Sequence, residues 1–154
     1  MKSLVRFFLR LARCSSGSAA VEMTIIVPMA VSLMAGGVDF GMALATQATG
    51  VKAVRDAARY LGTLPPSVVC SWGQTNAQNL AVYGNLAGTG NPLITGWSTS
   101  NVTITTSPTA NCGAGYTTII VTATIPYTSI ILASMPIAGT INLSARHEEP
   151  SIGQ

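Results

Sequence analysis

Few side chains in this sequence have types and spacing that support chemistry. His147 is the single histidine, and it precedes Glu148 and Glu149 in a polar C-terminal stretch, so we expect it to be solvated rather than a base or a metal ligand. No glycine-rich phosphate loop follows a predicted strand, and no cysteine–histidine spacing matches a zinc site. The sequence therefore predicts no catalytic residue, no metal site and no cofactor, and we expect a protein that is not an enzyme.

Two acids stand out because of the apolar residues beside them. Asp39 lies inside an apolar stretch, and Glu22 lies immediately before it. An ionised carboxylate in the middle of a membrane costs at least about 2.5 kcal/mol, so both acids should have partners. Glu22 follows Gly17 by five residues, and residues 1–17 form a basic segment. This order indicates a processing signal.

The element that must position these acids is one long helix. Residues 23–45 are almost all apolar or small, and about 20 such residues cross the ~30 Å hydrocarbon core of a bilayer. Beyond them, apolar residues recur at helical spacing and charged residues occupy other faces, until Gly62 and two prolines supply the stop. We therefore predict a helix over residues 18–62, with a transmembrane part at 18–45 and an amphipathic extension at 46–62.

Small residues form a ridge along the transmembrane part. Gly37, Gly41 and Ala45 are spaced by four residues, an arrangement that lets two helices approach closely in lipid. Chance clustering in a helix rich in glycine and alanine is the alternative explanation. Pro28 removes one helical hydrogen bond and should kink or locally melt the helix.

The order of these features along the chain resembles a known family. Gly17 is followed by small residues and Glu22, then by Pro28, by the tripeptide Asp39-Phe40-Gly41, and by the stretch VKAVRDAARYLG. Each feature alone is weak. Together and in this order they are similar to the TadE-like pseudopilins of Tad (Flp, type IVc) pilus systems.

The resemblance implies processing and assembly roles for particular residues. A prepilin peptidase would cut after Gly17 and leave Ser18 as the new N-terminus, with Glu22 as the fifth mature residue. Glu22 would then meet the N-terminal amine of a neighbouring subunit, because a buried charge persists only when it is paired and hydrogen-bonded. Ser18 departs from the bulkier residue that often follows the cut in major pilins. The residues implied in helix packing and assembly are Glu22, Pro28, Gly37, Asp39, Gly41 and Ala45.

The implied protein is a minor pilin or pseudopilin of the bacterial envelope. Its partners would be the membrane, the prepilin peptidase, other pilins and pseudopilins, and the Tad assembly machinery. Basic residues before the apolar stretch predict a cytoplasmic N-terminus. Together with the resemblance, this implies a single-pass protein of the bacterial inner membrane with a periplasmic C-terminal domain. Cleavage after Gly17 would change the side-chain charge from +3 to −1, so we expect no nucleic-acid partner, and no small-molecule substrate is implied. Entry into a surface pilus, and a TadE-like as against a TadF-like or TadG-like role, stay open.

Residues 66–149 are predicted to form a small exported α+β domain, with a tail at 150–154. The predicted fold class is α+β: a long N-terminal transmembrane helix continues into the exported part and packs on a small antiparallel β-sheet, as in pilins. β-Branched residues alternate most regularly at 116–127, which predicts the strongest strand. The other predicted elements are a strand at 68–72, a helix at 75–84, a strand at 101–105, an apolar loop or short helix at 128–139, and a last strand at 141–146.

The cysteines add one prediction to the implied processing. Cys14 lies in the leader, residues 1–17, which cleavage would remove. Cys70 and Cys112 lie in loop-like contexts of the exported part, where the environment permits a disulfide. A bond between them would close a loop of about 40 residues and contribute roughly 3–4 kcal/mol in the chain-entropy model. A pair of free thiols is the alternative.

Three other interpretations of the apolar stretch stay open. An ordinary secretory signal peptide would use Ala43-Leu44-Ala45 as its cleavage site, but the stretch is longer than an h-region of about 7–15 residues and contains Asp39. A plain signal anchor would have no processing. The functional alternative is a single-pass membrane-anchored binding module of the envelope that is not part of a filament. Cleavage after Gly17 and a requirement for Glu22 would separate the pilus role from these alternatives.

Overall fold

A single long helix begins at Ser15 and ends at Gly62 in the computed structural model, which describes residues 15–108, 117–129 and 140–152. This helix, α1, contains 48 residues and is therefore about 72 Å long at a rise of 1.5 Å per residue. The predicted long helix is confirmed.

The two halves of α1 have different surroundings. Up to Val38 the described side chains are exposed or half-buried, and Asp39 is the first buried residue along the helix. From Asp39 onward the rest of the protein covers one face. The buried apolar residues of this half are Ala53, Val54, Ala57, Ala58 and Leu61. Their spacing follows the helical period, because only one stripe of the helix faces the core.

Hydroxyl side chains along α1 bond to the helix itself. Thr24, Ser32, Thr46 and Thr49 each donate to the carbonyl oxygen four residues earlier, over 2.7 to 3.0 Å. Such bonds satisfy a hydroxyl where no water is present. The helix continues through Pro28 without interruption. Of the two effects predicted for Pro28, local melting is therefore wrong.

Three antiparallel strands form a sheet in the order β1-β2-β3. Strand β1 is Val102–Ser107, β2 is Thr118–Thr128 and β3 is Thr140–Pro150. Alternate residues of β2 are buried, because successive side chains of a strand point to opposite faces and one face meets the core. These residues are Ile119, Val121, Ala123 and Ile125. The antiparallel sheet packed on a long helix confirms the predicted α+β class.

Strand β3 lies along the second half of α1. Gln47 Nε2 donates to the Ser144 carbonyl oxygen over 2.7 Å. Beyond the end of the strand, Ile152 N–H donates to the Gly62 carbonyl oxygen over 2.9 Å. Helix and strand therefore run in the same direction, from the level of Asp39 towards the C-terminal end of α1.

The predicted C-terminal end of β3 is wrong. The sequence pattern places it at Arg146, whereas β3 continues to Pro150. Glu148 and Glu149 extend the ladder by pairing with β2, opposite Ile120 and Ile119. Two adjacent acids look like a polar tail in the sequence, but a strand at the edge of a sheet tolerates them because half of its side chains face solvent.

The segment after α1 is helical where the sequence predicts a strand. Helix α2 is Pro66–Val68, a π-helical turn covers Val69–Gly73, and α3 is Gln74–Tyr83. The predicted strand at 68–72 is therefore wrong. The predicted helix at 75–84 is confirmed, with each end displaced by one residue.

Packing explains the helical backbone of this segment. Pro66 presets a helical φ in the first turn, and Gly84, with φ of 72°, ends α3 by donating its N–H to the Leu80 carbonyl oxygen. Between them the buried residues recur every four positions and join the core between α1, α3 and the sheet. These residues are Val69, Gly73, Ala77 and Ala81.

Leu61→Ala should lower the free energy of unfolding by about 2–5 kcal/mol, because Leu61 is fully buried in the core and its truncation leaves a cavity. Leu86→Ala removes the same atoms from a side chain that is 42% exposed, and its effect should be much smaller. The measurement is urea unfolding of the full-length chain in a mild detergent, followed by tryptophan fluorescence. Equal effects of the two substitutions would contradict the packing of α1 in the core.

Candidate functional site

The first half of α1 exposes apolar side chains on every side. We call residues 17–38 the exposed helix segment. Its large aliphatic residues and methionines are 48% to 72% exposed, although a helix that is apolar all round needs lipid or other protein to cover it. Within the described residues, Ala19–Gly62 is one helix long and apolar enough to cross a membrane, with mean hydropathy 1.8 in its most apolar part. This fits a single-pass membrane protein.

The predicted processing residues lie near the start of this segment. Gly17 and Glu22 are exposed, and Ser18 lies between them in the helix. Glu22 has no hydrogen bond or ion pair with the residues that the structure describes, so the partner expected for it is not among them. Seventeen residues separate Glu22 from Asp39, which is about 26 Å along the helix. The domain that follows α1 therefore leaves Gly17 and Glu22 uncovered.

The small-residue ridge is also uncovered. Gly37, Gly41 and Ala45 are exposed, and a Cβ atom added at either glycine would meet nothing within 4 Å. Pro28 is exposed on the same helix. Packing of another helix against this ridge stays a prediction, and the described part of this chain does not occupy the space.

Asp39 marks the point where the domain that follows α1 first contacts the helix. Its side chain is only 4% exposed. Tyr127 Oη lies 2.8 Å from Asp39 Oδ1 and 2.9 Å from the Asp39 carbonyl oxygen, and Ser129 Oγ donates to Asp39 Oδ2. The partners expected for Asp39 therefore come from the same chain. We call these three residues the Asp39 cluster.

Sequence reasoning missed two members of this cluster. Tyr127 and Ser129 follow Asp39 by 88 and 90 residues. The sequence shows only two hydroxyl side chains at the end of an apolar strand. Such a pair does not reveal that its hydrogen-bond partner is an acid on a helix far away in the sequence. Only the antiparallel sheet, packed along α1, brings them together.

The surroundings of Tyr127 keep its phenol protonated. Burial of the ring raises the pKa of Tyr127, and the hydrogen bond to Asp39 and the negative charge of that carboxylate raise it further. Because the pKa is higher in the folded state, the contribution of Tyr127 to stability is fully present below the ordinary tyrosine value of about 10. It is lost only as the pH rises through the folded-state pKa, so the phenol donates its hydrogen bond throughout the neutral range.

A cavity of about 620 Å³ lies beside the Asp39 cluster. It opens between α1, the end of β2 and the loop after α3. Its lining is mainly apolar with several hydroxyl groups and contains no charged side chain: Ala45, Thr46, Thr49, Leu93, Ile94, Thr95, Pro126, Tyr127, Thr128 and Ser129.

Other residues with chemical potential are dispersed. In the described residues, no group of three or more His, Cys, Asp or Glu side chains could hold a metal ion. His147 Nε2 lies 3.2 Å from Glu149 Oε2, and the His147 side chain is half-buried, so it has a side-chain partner that the sequence did not predict. The contact arises because β3 continues past Arg146 and directs alternate side chains of the strand to one face.

Several predictions fall outside the described residues. Cys70 is exposed in the π-helical turn, whereas Cys112 lies in the undescribed range 109–116, so the disulfide stays a prediction. The leader up to residue 14 and most of the predicted apolar loop, residues 130–139, also lie outside the described part.

The family model described as TadE-like protein matches residues 17–59. The chain carries a TadE-like segment. The match begins at the predicted processing glycine and includes the exposed helix segment, the Asp39 position and most of the helix face packed on the sheet. It confirms the resemblance inferred from the residues of this segment and indicates involvement in Tad pilus assembly. No curated protein and no solved structure matches the chain.

Tyr127→Phe should destabilise the protein by about 1–3 kcal/mol, because it removes the hydroxyl that donates to the buried Asp39 carboxylate of the TadE-like segment. Tyr83→Phe is the matched control, since no hydrogen bond of the Tyr83 hydroxyl is present among the described residues. Urea unfolding in detergent compares the two variants. If Tyr83→Phe lowered the free energy of unfolding as much as Tyr127→Phe, the hydrogen bonds of the Asp39 cluster would not be what holds the domain on the helix.

Proposed function

We propose that this protein is a minor pilin or pseudopilin that a prepilin peptidase cleaves after Gly17 and that takes part in assembly of a Tad (Flp, type IVc) pilus. One observation carries the proposal. The TadE-like match begins at Gly17 and includes the whole exposed helix segment, whose apolar side chains the described part of the chain leaves uncovered. An apolar helix of this kind needs lipid before assembly and can exchange lipid for other helices afterwards.

Processing would create the group that Glu22 lacks within the described residues. Cleavage after Gly17 would leave a positively charged amine at Ser18, four residues before Glu22. The amine of a neighbouring subunit would be a cationic partner for the exposed Glu22 carboxylate. Pairing would lower the cost of holding both charges in a medium of low dielectric constant. The proposed role of Glu22 is therefore to fix the axial position of one subunit relative to its neighbour.

Helix packing would use the ridge of small residues and the backbone around Pro28. Gly37, Gly41 and Ala45 are exposed and would let another helix approach closely. Asp39 takes a different part in the proposal, because its side chain faces the sheet of its own chain. It would hold the exported domain at a fixed place on the helix while the ridge at Gly37 and Gly41 contacts neighbouring pilins.

The proposed location is the bacterial inner membrane, with the N-terminus in the cytoplasm and the domain after α1 in the periplasm. The proposed partners are the prepilin peptidase, other pilins and pseudopilins, and the Tad assembly machinery. In that compartment Cys70 and Cys112 are proposed to form a disulfide. The bond would link the exposed π-helical turn to the segment between β1 and β2.

The second candidate function is a membrane-anchored envelope binding module that is not part of a filament. The cavity of about 620 Å³ favours it, because a ligand could be bound there without any contact with another helix. Such a module would need neither cleavage at Gly17 nor the Glu22 carboxylate.

The intact mass of the membrane-extracted protein should correspond to Ser18–Gln154 when a prepilin peptidase is co-expressed, and to the uncut chain when it is not. Gly17→Leu should block the cut. Gly36→Leu is the matched control and should leave it unchanged, because a Cβ atom at Gly36 meets nothing within 4 Å. An uncut wild-type chain in the presence of the peptidase would favour the anchored module. On the same sample, thiol labelling of Cys70 and Cys112 only after reduction would report the disulfide.

Glu22→Ala should leave cleavage intact and reduce co-purification with other pilins, because it removes the carboxylate proposed to pair with a neighbouring amine. Asp56→Ala is the control, since Asp56 is also an exposed acid on α1. The measurement is the amount of pilin recovered with each tagged variant, together with piliation of the cells. Unchanged recovery and piliation for Glu22→Ala would count against the assembly role of this residue.

A further inference from the structure

Charge is distributed unevenly over the domain that follows Asp39. Residues 60–145 contain no aspartate, glutamate, lysine, arginine or histidine. The charged residues that flank this range lie at 52–59 on α1 and at 146–149 on β3. Because β3 and α1 run in the same direction, both groups lie away from the Asp39 cluster and towards the end where Ile152 contacts Gly62.

The uncharged layer next to the Asp39 cluster is thick. Lys52 follows Asp39 by thirteen residues, or about 20 Å along the helix. On β3, Ile141 pairs with Tyr127 of the cluster, and Arg146 comes five residues later, about 16 Å along the strand. The polar interface of a bilayer is only about 5–8 Å deep on each side. This end of the domain can therefore enter the interface without immersing a charged side chain other than Asp39.

Several polar groups of this layer on α1 are bonded within the chain, whereas the buried Gln47 Oε1 has no hydrogen-bond partner among the described residues. The Asp39 carboxylate is covered by Tyr127 and Ser129. The hydroxyls of Thr46 and Thr49 bond back to the helix. Such internal bonding is what a region of low water content requires.

Exposed apolar side chains surround the same end. Leu93 lies there because it lines the cavity together with Tyr127, and Ile141 lies there because it pairs with Tyr127. Three residues of α1 just after Asp39 complete the set. We call these five residues the apolar collar, with exposed fractions of 67% for Phe40, 43% for Met42, 54% for Leu44, 48% for Leu93 and 55% for Ile141.

The length of the helix places this collar at a membrane boundary. If Glu22 marks one edge of the hydrocarbon core, the opposite edge falls about 20 residues later, near Met42, for a core of ~30 Å. Asp39, at about 26 Å from Glu22, then lies just inside that edge. Since Tyr127 and Ser129 contact Asp39, the end of the domain that carries them lies at this edge, where the hydrocarbon core meets the headgroup region.

We propose that the apolar collar is a membrane-contacting surface, which seats the exported domain in the headgroup region of the bilayer leaflet on its own side. The occupant of this surface is lipid, because the collar continues the lipid-facing surface of the exposed helix segment and no exposed charged residue lies between the two. The proposal rests on the membrane-spanning role proposed above and is independent of cleavage at Gly17. If the collar contacts lipid, the domain stays at a fixed distance from the bilayer and does not change its orientation relative to the helix.

The test uses the full-length chain at one copy per lipid nanodisc, with a phospholipid that carries a diazirine near the glycerol end of its acyl chain. After irradiation and peptic digestion, mass spectrometry locates the lipid adducts. Adducts are expected on the exposed helix segment and on the peptides that contain Leu93 and Ile141. The matched controls are Trp72 and Ile152, which are 53% and 72% exposed but lie towards the opposite end of the domain, and their peptides should lack adducts.

A pair of variants tests the surface itself. Ile141→Glu should abolish the adducts on its own peptide and reduce those at Leu93, because a charge at this position resists entry into the interface. Ile152→Glu should leave the pattern unchanged. Adducts on α1 but not at Leu93 or Ile141, or equal labelling of Ile152, would overturn the collar while leaving the membrane span intact. Absence of adducts on the exposed helix segment as well would overturn the membrane span from which the proposal starts.

Discussion

The burial of one carboxylate, that of Asp39, is the constraint on which the arrangement of this chain depends. It lies on an apolar helix at the point where the surroundings of that helix change from open space to a protein core. An acid there has to be covered, and Tyr127 and Ser129 cover it from the end of β2. Because its raised pKa keeps Tyr127 protonated throughout the neutral range, the phenol can donate its hydrogen bond to Asp39 throughout that range. Once the end of β2 is fixed to the helix, the hairpin partner β3 must follow the helix as far as Gly62.

Close approach between helix and sheet makes this tie compatible with a well-packed core. At Gly50 a Cβ atom would overlap Ile125 Cδ1, so the absence of a side chain lets β2 lie directly on α1. Alanines further along the same face continue the close contact, and the larger side chains of Val54 and Leu61 fill the space that the backbones leave. A small domain with few bulky residues obtains its core in this way from backbone proximity rather than from large side chains.

The division of α1 into two halves connects the fold with the proposed role. The TadE-like match spans both halves and ends before the sheet begins. The exposed helix segment supplies an apolar surface whose cover must come from outside the described part of the chain, and the second half holds the domain in a fixed relation to that surface. If the apolar collar meets lipid as proposed, the height of the domain and the depth of Glu22 are set by the same helix. The helix α1 would then carry the cleavage site, set the position of the domain relative to the membrane and supply the surface that contacts other subunits.

Much of the fold could be predicted from the sequence, because it depends on local composition. The apolar stretch, the helical spacing after it and the stop at Gly62 specify α1, and the alternation of β-branched residues specifies β2. The order of Gly17, Glu22, Pro28 and Asp39 was enough to indicate the family whose model matches residues 17–59. These signals lie within about 50 consecutive residues or within one strand, so they need no knowledge of distant contacts.

Tertiary structure decided what depends on contacts between distant segments. The segment Val69–Gly73 forms a helical turn with a kink at Ser71, whose φ is −109° and ψ −108°. Every fourth residue from Val69 onward is buried, although the short apolar sequence also fits a strand. Strand β3 extends through Glu148 and Glu149 because β2 offers backbone partners, which no property of two acids predicts. By itself the sequence determined that Asp39 needs a partner. Only the tertiary structure determined that Tyr127 and Ser129 supply it, since hydrogen bonds across 88 and 90 residues depend on how the sheet lies on the helix and not on local pattern.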